Sequence, residues 1–573
     1  MTTSTTPREA TSVRVRNAVG RAGWYAGAVG VGSVLMVAAA INQPYNQNEL
    51  QQMAPYGSDS IDKIINGTRQ PPLDPLLGAL VQHLLGEGQL RQRLVPVVAG
   101  IGTLVLMSLL LRRLGMGGAG AFGVWVLATA PLMVRYSAYT RPYALPLFLM
   151  MVFVYAAQRW LDDRRQRRWL VLTAAAAAAM PLTRLPEPTV FLVTTAAVLA
   201  WFAYRGRYAW SQAWPLVAIS IGAVVLVGYP EFHSLSSAGV ADLSPAGIVS
   251  RFGSGMHNVA TFVLPLLASW LPWWPVTLLV IITPVVLSRA RRQLARWWFF
   301  WPALMPPVAF VFAYELTTSF NILRYRPHFA YFFLPAYVLV VVALAHALKD
   351  PGAMSRRLRV GLGVLLGAAL LSQLPATANA VLNNEAADYG RAADVLTHHI
   401  PADAIVLYDN PNPAGMWRAQ FLSEPRYMGD SPLVIAVRKL ARYPRELPAQ
   451  GPLYVLVLDS QCGTVVCDFP PQQWNRDVPG WRVESRFDRF TLYAQQDGPS
   501  GPPGVIKALL DFANAFGPDL GYPETFAAAA ELKLQGNPAA GHAVIHHMYA
   551  MAPPDLEMRI QMESHKYRLN PFR

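Results

Sequence analysis

The sequence predicts a polytopic α-helical membrane protein followed by a smaller soluble α/β domain. Of its 573 residues, 53% are hydrophobic and only 14% are charged, and the mean hydropathy is +0.26. A soluble globular chain usually has about 25% charged residues, so a single soluble domain and a disordered chain are both excluded. In addition, short basic clusters alternate with apolar stretches that are long enough to span a bilayer.

Eleven stretches approach the roughly 20 apolar residues that a spanning helix needs. They are residues 24–41, 94–113, 118–134, 143–159, 169–183, 188–204, 213–229, 273–289, 297–314, 329–347 and 359–375. The segment 257–270 is apolar but short, which is typical of a re-entrant or interfacial helix. The first stretch is long enough to span and lacks a small-residue cleavage site, so it is not predicted to be a cleavable signal.

The basic residues predict the orientation of these spans. Every second loop is basic, beginning with the N-terminal tail that contains Arg8 and Arg14. The positive-inside rule therefore places the N-terminus in the cytoplasm, and eleven spans place the C-terminus outside a cell membrane. The net charge of +14 follows from this loop pattern. No nucleic-acid-binding motif accompanies it, so a nucleic-acid partner is not expected.

The predicted domains are a transmembrane domain at 1–375, a soluble α/β domain at 376–497 and a helical tail at 498–573. The transmembrane domain includes a long first outer loop at 42–92. By the orientation above, this loop and everything after the last span lie outside the cytoplasm.

The soluble domain is predicted from a helical pattern and two short apolar runs. Residues 386–400 have helical spacing, and residues 404–408 and 453–458 are typical of buried strands. Strands that alternate with helices indicate a small α/β layer.

Two cysteines, Cys462 and Cys467, follow the second predicted strand. Two cysteines are too few for a disulfide scaffold or a cysteine-rich metal site. In an extracytoplasmic domain this pair is predicted to close a small disulfide loop, and two reduced thiols are the alternative.

Two acids of the first outer loop are candidates for chemistry. Glu49 follows the first span directly, and Asp74 opens an apolar helix after Pro71 and Pro72. A carboxylate near the membrane surface can act as a general base toward an acceptor hydroxyl. A solvated loop acid is the alternative interpretation.

Several cationic residues lie at predicted outer ends of the spans, where the positive-inside rule disfavours them. They are Arg135, Arg141, Arg184, Arg324, Arg326 and His328. The planar guanidinium binds phosphate through two hydrogen bonds, so a lipid phosphate at the outer leaflet is the predicted ligand. For any one of them alone, snorkelling to lipid headgroups or pairing with loop acids is the favoured explanation, but their convergence favours the phosphate for the set. The sequence contains no phosphate-binding P-loop, zinc-helix motif or serine nucleophile elbow.

Three sequence segments resemble the GT-C superfamily of membrane glycosyltransferases, in the branch of the protein O-mannosyltransferases and the lipid A aminoarabinose transferase. The first segment is Asn48-Glu49 after span one, followed by Pro71-Pro72-Leu73 before the next helix. The second is the run 139–145, Tyr-Thr-Arg-Pro-Tyr-Ala-Leu, and the third is the run 324–335. The similarity extends over about residues 20–375.

The resemblance implies a glycosyltransferase that takes a sugar from a polyprenyl-phosphate donor at the outer leaflet. It implies transfer, commonly with inversion, to an acceptor hydroxyl on a cell-envelope glycan, lipid or protein. A first-loop carboxylate is then the base, with Glu49 and Asp74 as candidates, and Arg141, Arg184, Arg324, Arg326 and His328 bind the donor phosphate. Asn48, Tyr143 and Arg69 are supporting residues.

The chain departs from the family at Asn48, because the family usually has Asp-Glu in the first loop and takes the Asp as base. Asn48 cannot accept a proton at neutral pH. Either Glu49 is the base, or another acid of the loop is, namely Asp74, Asp59 or Asp62. The remaining alternative is that catalysis has been lost. Two further functions therefore stay open: a non-catalytic scaffold of an envelope-glycan assembly, and a lipid or sugar transporter. No cofactor is required. A divalent cation that bridges the loop acids and the phosphate is an open alternative.

Overall fold

The computed structural model describes most of the chain. The described residues are 7–43, 45, 49, 52–53, 55–68, 71–228, 274–317, 328–349, 354–382, 387–409, 432–437, 440, 447–458, 477–487, 490–516 and 522–551. They divide into two compact units, one of Met1–Gln43 with Asn48–Asn384 and one of Pro44–Gln47 with Glu385–Arg573.

All regular secondary structure in the described residues of the first unit is helical. Its helices are Pro7–Asn42, Ile61–Thr68, Leu73–Leu85, Gln89–Gln92, Leu94–Arg113, Gly117–Ala128, Pro131–Ser137, Ala144–Asp162, Arg167–Ala179, Pro186–Tyr204, Trp210–Ala223 with its π-helical extension Val224–Gly228, Trp274–Val286, Ser288–Arg296, Phe300–Thr317, His328–Ala347 and Arg356–Leu382. Among the described residues, seven helices are long and apolar enough to cross a membrane, or eight if one bent pair is a single span. The polytopic helical prediction is confirmed, and the count of eleven stays a prediction.

The bent pair consists of Gly117–Ala128 and Pro131–Ser137, whose axes differ by 57°. Pro131 begins the second helix, where its missing N–H costs no hydrogen bond and its fixed φ suits the first turn. The bend turns the chain so that residues 138–143 leave the end of the short helix as a tight loop. This loop contains the predicted Tyr-Thr-Arg-Pro-Tyr segment.

Close packing fixes the loop against the second span. A side chain at Gly100 would clash with Ser137, so only glycine lets Leu94–Arg113 lie this near the short helix. The hydroxyl of Thr140 donates a 3.3 Å hydrogen bond to the carbonyl of Gln92. The start of one helix and the loop after another are therefore held together at one end of the bundle.

The second unit contains a five-stranded sheet of Ile405–Asp409, Leu433–Ala436, Leu453–Leu458, Trp481–Phe487 and Phe490–Gln495, here β1 to β5 in chain order. The strand order is β2-β1-β3-β5-β4. β1 pairs in parallel with β2 and β3, whereas β5 is antiparallel to β3 and β4. The predicted helix is confirmed at Ala387–His399, and both predicted strands are confirmed as β1 and β3.

The helices after the sheet share its hydrophobic core. They are Gly501–Phe516, Tyr522–Leu534 and Pro538–Met551. Phe512 and Phe526 are buried in one cluster with Ile405 and Val455 of the sheet. The sequence does not show which surface these helices cover, so the boundary at 497/498 stays a prediction. The predicted boundary at 375/376 falls inside the helix Arg356–Leu382.

Candidate active site

Glu49 is buried in an ion pair with Arg93. The Arg93 Nε lies 2.9 Å from Glu49 Oε1 and Nη2 lies 2.8 Å from Oε2, with both side chains 0% exposed. Arg93 Nη1 also donates to the carbonyls of Ala40, at 3.0 Å, and Gln43, at 2.5 Å. Because Arg93 precedes the helix Leu94–Arg113, one guanidinium joins the ends of two helices to the first loop.

The Glu49 carboxylate also accepts a hydrogen bond from the loop that contains Thr140. The backbone N–H of Thr140 donates to Glu49 Oε1 at 2.9 Å. A carboxylate with three such donors is fixed in position, and charge-assisted hydrogen bonds of this type are the strong ones. Glu49 thereby orients the segment that ends in Arg141.

Asp74 is the second buried carboxyl of the first loop. It lies in the first turn of the helix Leu73–Leu85, and its Oδ2 accepts a 2.7 Å hydrogen bond from Gln52 Nε2. The Gln52 Oε1 in turn lies 3.5 Å from Arg141 Nη1. Burial raises the pKa of Asp74 to about 7, although Arg141 and the Gln52 hydrogen bond act to lower it. A general base works best when its pKa is near the operating pH, so this environment suits proton transfer.

Tyr56 covers the same face of the Asp74 helix. A side chain at Gly78 would clash with the ring and hydroxyl of Tyr56, so the ring lies directly on the helix backbone one turn after Asp74. Burial, followed by the nearby Asp74, raises the pKa of the Tyr56 hydroxyl well above its usual range. Tyr56 therefore stays protonated and separates this side of Asp74 from solvent.

Arg184 and Tyr143 lie beside this region. Arg184 Nε is 2.5 Å from Glu187 Oε2, and its guanidinium lies 5.0 Å from the centre of the Tyr143 ring. The backbone N–H of Leu73 donates to the carbonyl of Leu182 at 2.8 Å, which joins the Arg184 loop to the start of the Asp74 helix. Tyr143 also makes an edge contact with Tyr136, with ring centres 5.2 Å apart.

The structure thus brings together four of the residues predicted from the sequence, Glu49, Asp74, Arg141 and Tyr143, with Arg184 joined to them through Tyr143. Asp59 and Asp62 are exposed, so the two alternative loop acids lie in solvent. The other predicted residues, Asn48, Arg69, Arg324, Arg326, Cys462 and Cys467, lie outside the described residues, as does the side chain of His328. Within the described ranges, no group of three His, Cys, Asp or Glu residues could hold a metal ion.

Sequence reasoning assigned no role to Arg93, Gln52, Tyr56 or Thr140, although Thr140 lies in the quoted segment 139–145. Arg93 had a usable signal, because it is an arginine at a predicted outer end of a span, where such charges are disfavoured. Gln52 and Tyr56 are ordinary loop residues in sequence. Only the fold shows that they contact the Asp74 helix.

Comparison with known proteins agrees with the resemblance seen in the sequence. The model of the dolichyl-phosphate-mannose-protein mannosyltransferase family matches residues 69–230. The GT-C resemblance is confirmed. The matched region includes Asp74, Arg93 and Arg141. No curated protein sequence matches the chain.

Three solved structures are among those that match the chain. ArnT from Cupriavidus metallidurans bound to undecaprenyl phosphate has 15% identity and a TM-score of 0.45, covering 83% of this chain and 99% of ArnT. AglB from Archaeoglobus fulgidus, in complex with an inhibitory peptide and a dolichol-phosphate, has 12% identity and a TM-score of 0.39, with 76% and 69% covered. The arabinofuranosyltransferase AftD from Mycobacteria has 14% identity and a TM-score of 0.42, with 83% and 42% covered.

Proposed function

We propose that this protein is a membrane glycosyltransferase that moves a sugar from a polyprenyl-phosphate donor to a hydroxyl of an extracytoplasmic acceptor. The observation that supports it most is the pairing of Asp74 with Arg141 through Gln52. A buried carboxyl with a pKa of about 7 next to a guanidinium combines a proton acceptor with a phosphate ligand. The family match over residues 69–230 includes both groups and names a lipid-phosphate-linked sugar donor.

The proposed reaction is a single displacement. Asp74 accepts the proton of the acceptor hydroxyl as its oxygen attacks the anomeric carbon. The bond between that carbon and the phosphate oxygen breaks, and the polyprenyl phosphate leaves with the bonding electrons. The leaving phosphate gains negative charge, which the Arg141 guanidinium stabilises. A single attack opposite the leaving group inverts the anomeric configuration.

We assign Glu49 a positioning role beside this base. Both of its oxygens bind Arg93, and one also binds the Thr140 N–H, so proton acceptance would disrupt a buried ion pair. Glu49 instead fixes the segment that presents Arg141. Arg184 packs against Tyr143 and positions that ring, whereas Arg324, Arg326 and His328 remain predicted phosphate ligands.

The test is sugar transfer in membranes that contain this chain, with a panel of radiolabelled polyprenyl-phosphate sugars. We expect one donor to label an envelope acceptor, and we expect labelling to disappear in Asp74→Asn. If labelling survives in Asp74→Asn and disappears in a folded Glu49→Gln variant, Glu49 is the base and the proposed assignment is wrong. If folded wild-type protein transfers no sugar from any donor, the enzymatic proposal fails and the scaffold interpretation replaces it.

A further inference from the structure

A groove lies at the predicted cytoplasmic end of the helical bundle, whereas the candidate active site lies at the predicted outer end. Its walls include Trp201 and Arg205 at the end of helix Pro186–Tyr204, Arg207 in the next loop, and Trp301. The cavity has a volume of about 500 Å³, which falls in the usual range for small-molecule sites of about 300–1,000 Å³. The alternating basic loops predict that this end faces the cytoplasm.

Two guanidinium groups line the groove. Arg205 lies 5.5 Å from the centre of the Trp201 ring, and Arg207 lies 4.6 Å from that of Phe202. Arg207 Nη1 donates to the carbonyl of Ala295 at 2.6 Å. In the part of the chain that the structure describes, neither arginine forms an ion pair with a carboxylate. Their described partners are aromatic rings and a carbonyl, and both side chains are exposed, so both guanidinium groups are accessible to an anionic ligand.

Exposed aromatic side chains indicate the depth of the groove in the membrane. Trp201 is 57% exposed, Trp210 51% and Trp301 45%. Exposed tryptophans at the ends of spans are typical of the headgroup level of a bilayer. Ala197 and Val198 lie about two turns before Arg205 on the same helix, and their apolar side chains offer hydrocarbon contacts on the membrane side of the two arginines.

A basic helix ends beside the same opening. Helix Ser288–Arg296 supplies Ala295 to the groove, and the same helix contains four arginines that do not line it. Clusters of basic residues at the cytoplasmic end of a membrane helix attract anionic lipids. The groove therefore combines permanent positive charge, headgroup depth and an apolar lining.

We propose that this groove binds the headgroup of an anionic glycerophospholipid of the cytoplasmic leaflet. The lipid phosphate lies between Arg205 and Arg207, and the first part of an acyl chain passes along Ala197 and Val198. The site shares no residue with the candidate active site. It goes beyond the proposed transferase activity and does not depend on it.

Native mass spectrometry of the full purified chain tests the proposal, with phosphatidylglycerol and phosphatidylcholine supplied separately. We expect wild-type protein to retain phosphatidylglycerol in preference to phosphatidylcholine. The double variant Arg205→Gln/Arg207→Gln should bind phosphatidylglycerol about tenfold more weakly, because it loses both guanidinium contacts to the lipid phosphate in the groove. The control Arg356→Gln/Arg357→Gln changes the same charge at exposed positions on the same predicted side and should keep wild-type occupancy.

A second variant separates groove binding from surface charge and from misfolding. Ala197→Trp fills the groove at an exposed position and leaves the charge unchanged, so it should also lose phosphatidylglycerol. Equal retention of the two lipids by wild-type protein overturns the proposal. So does an equal loss in the two arginine double variants, or full phosphatidylglycerol occupancy in Ala197→Trp.

Discussion

The guanidinium of Arg93 binds both carboxylate oxygens of Glu49 in a fully buried pair. Burying two charges costs several kcal/mol, and two parallel hydrogen bonds with further donors and acceptors are needed to offset it. Here the carbonyls of Ala40 and Gln43 and the N–H of Thr140 complete those contacts. The pair therefore fixes the first loop to the second span, and with it the position of Arg141.

Removing Arg93 should destabilise the transmembrane unit strongly. In Arg93→Met the Glu49 carboxylate stays buried without its cation, which typically costs about 3–5 kcal/mol. Thermal unfolding in detergent measures the effect. The control is Arg113→Met, whose ion pair with Asp162 is about one-third exposed on each side and should contribute at most about 1 kcal/mol.

A double variant isolates the cause of that destabilisation. Glu49→Met in the Arg93→Met background removes the uncompensated carboxylate and should recover part of the lost stability. If Arg93→Met unfolds at the same temperature as Arg113→Met, the buried pair is not the structural link that its geometry indicates.

Replacing Asp74 should abolish sugar transfer while the fold persists. Asp74→Asn keeps the side-chain volume and removes the proton acceptor, and loss of a general base typically costs about 10²–10⁴-fold in rate. Initial rates of transfer from a polyprenyl-phosphate sugar give the measurement. Asp59→Asn is the matched control, because Asp59 is an exposed acid of the same loop and should retain full activity. Comparable losses in the two variants would show that Asp74 has no special role.

The pH dependence of transfer should report the Asp74 carboxyl. Burial raises its pKa to about 7, so activity should rise through that pH as the basic form becomes populated. Gln52 donates to the carboxylate and lowers the pKa, so Gln52→Leu should move the rise to more alkaline pH. Gln82→Leu removes a buried amide that is hydrogen-bonded to Glu87 and Gln92, and it should leave the rise in place.

The same titration predicts a trend in stability. A carboxyl whose pKa is raised on folding favours the folded state when it is protonated, so its contribution is lost as the pH rises from about 4 to 7. Asp74→Asn should flatten the fall in unfolding free energy over this range. An unchanged slope in Asp74→Asn, or an unshifted activity profile in Gln52→Leu, would contradict the assignment.

The sequence identified the acids of the site but not the residues that contact them. Glu49 and Asp74 were found because each is an acid next to an apolar span, and Arg141 because it opposes the positive-inside rule. Their separate roles could not be assigned, because the difference lies in long-range contacts. Arg93 is 44 positions from Glu49 along the chain, and Gln52 is 22 positions from Asp74. Periodicity reports which face of an element is apolar, but not which distant side chain covers it.

Some elements of the fold were likewise predicted from the sequence, and others were not. The strands Ile405–Asp409 and Leu453–Leu458 were predicted, since short runs of apolar residues bounded by turn residues indicate buried strands. The strand Trp481–Phe487 was not, because its exposed positions bear charged residues such as Arg482 and Glu484 and hide the apolar face. Likewise, the bend before Pro131 divides an apolar stretch that the sequence presents as one span.

Packing at Gly78 provides the last prediction, which links the fold to the environment of Asp74. In Gly78→Ala the new methyl group would clash with the Tyr56 ring, so Tyr56 or the helix must move. Overpacking of this kind typically costs about 1–3 kcal/mol, and a displaced Tyr56 would also expose Asp74 to water. We therefore expect a lower melting temperature and an activity profile shifted toward acid pH, because the burial that raises the Asp74 pKa is reduced. The control is Gly57→Ala, where the nearest atom, Gln82 Nε2, would lie at an ordinary 3.5 Å from the methyl group. Equal melting temperatures and equal pH profiles for the two variants would show that Tyr56 does not shield Asp74.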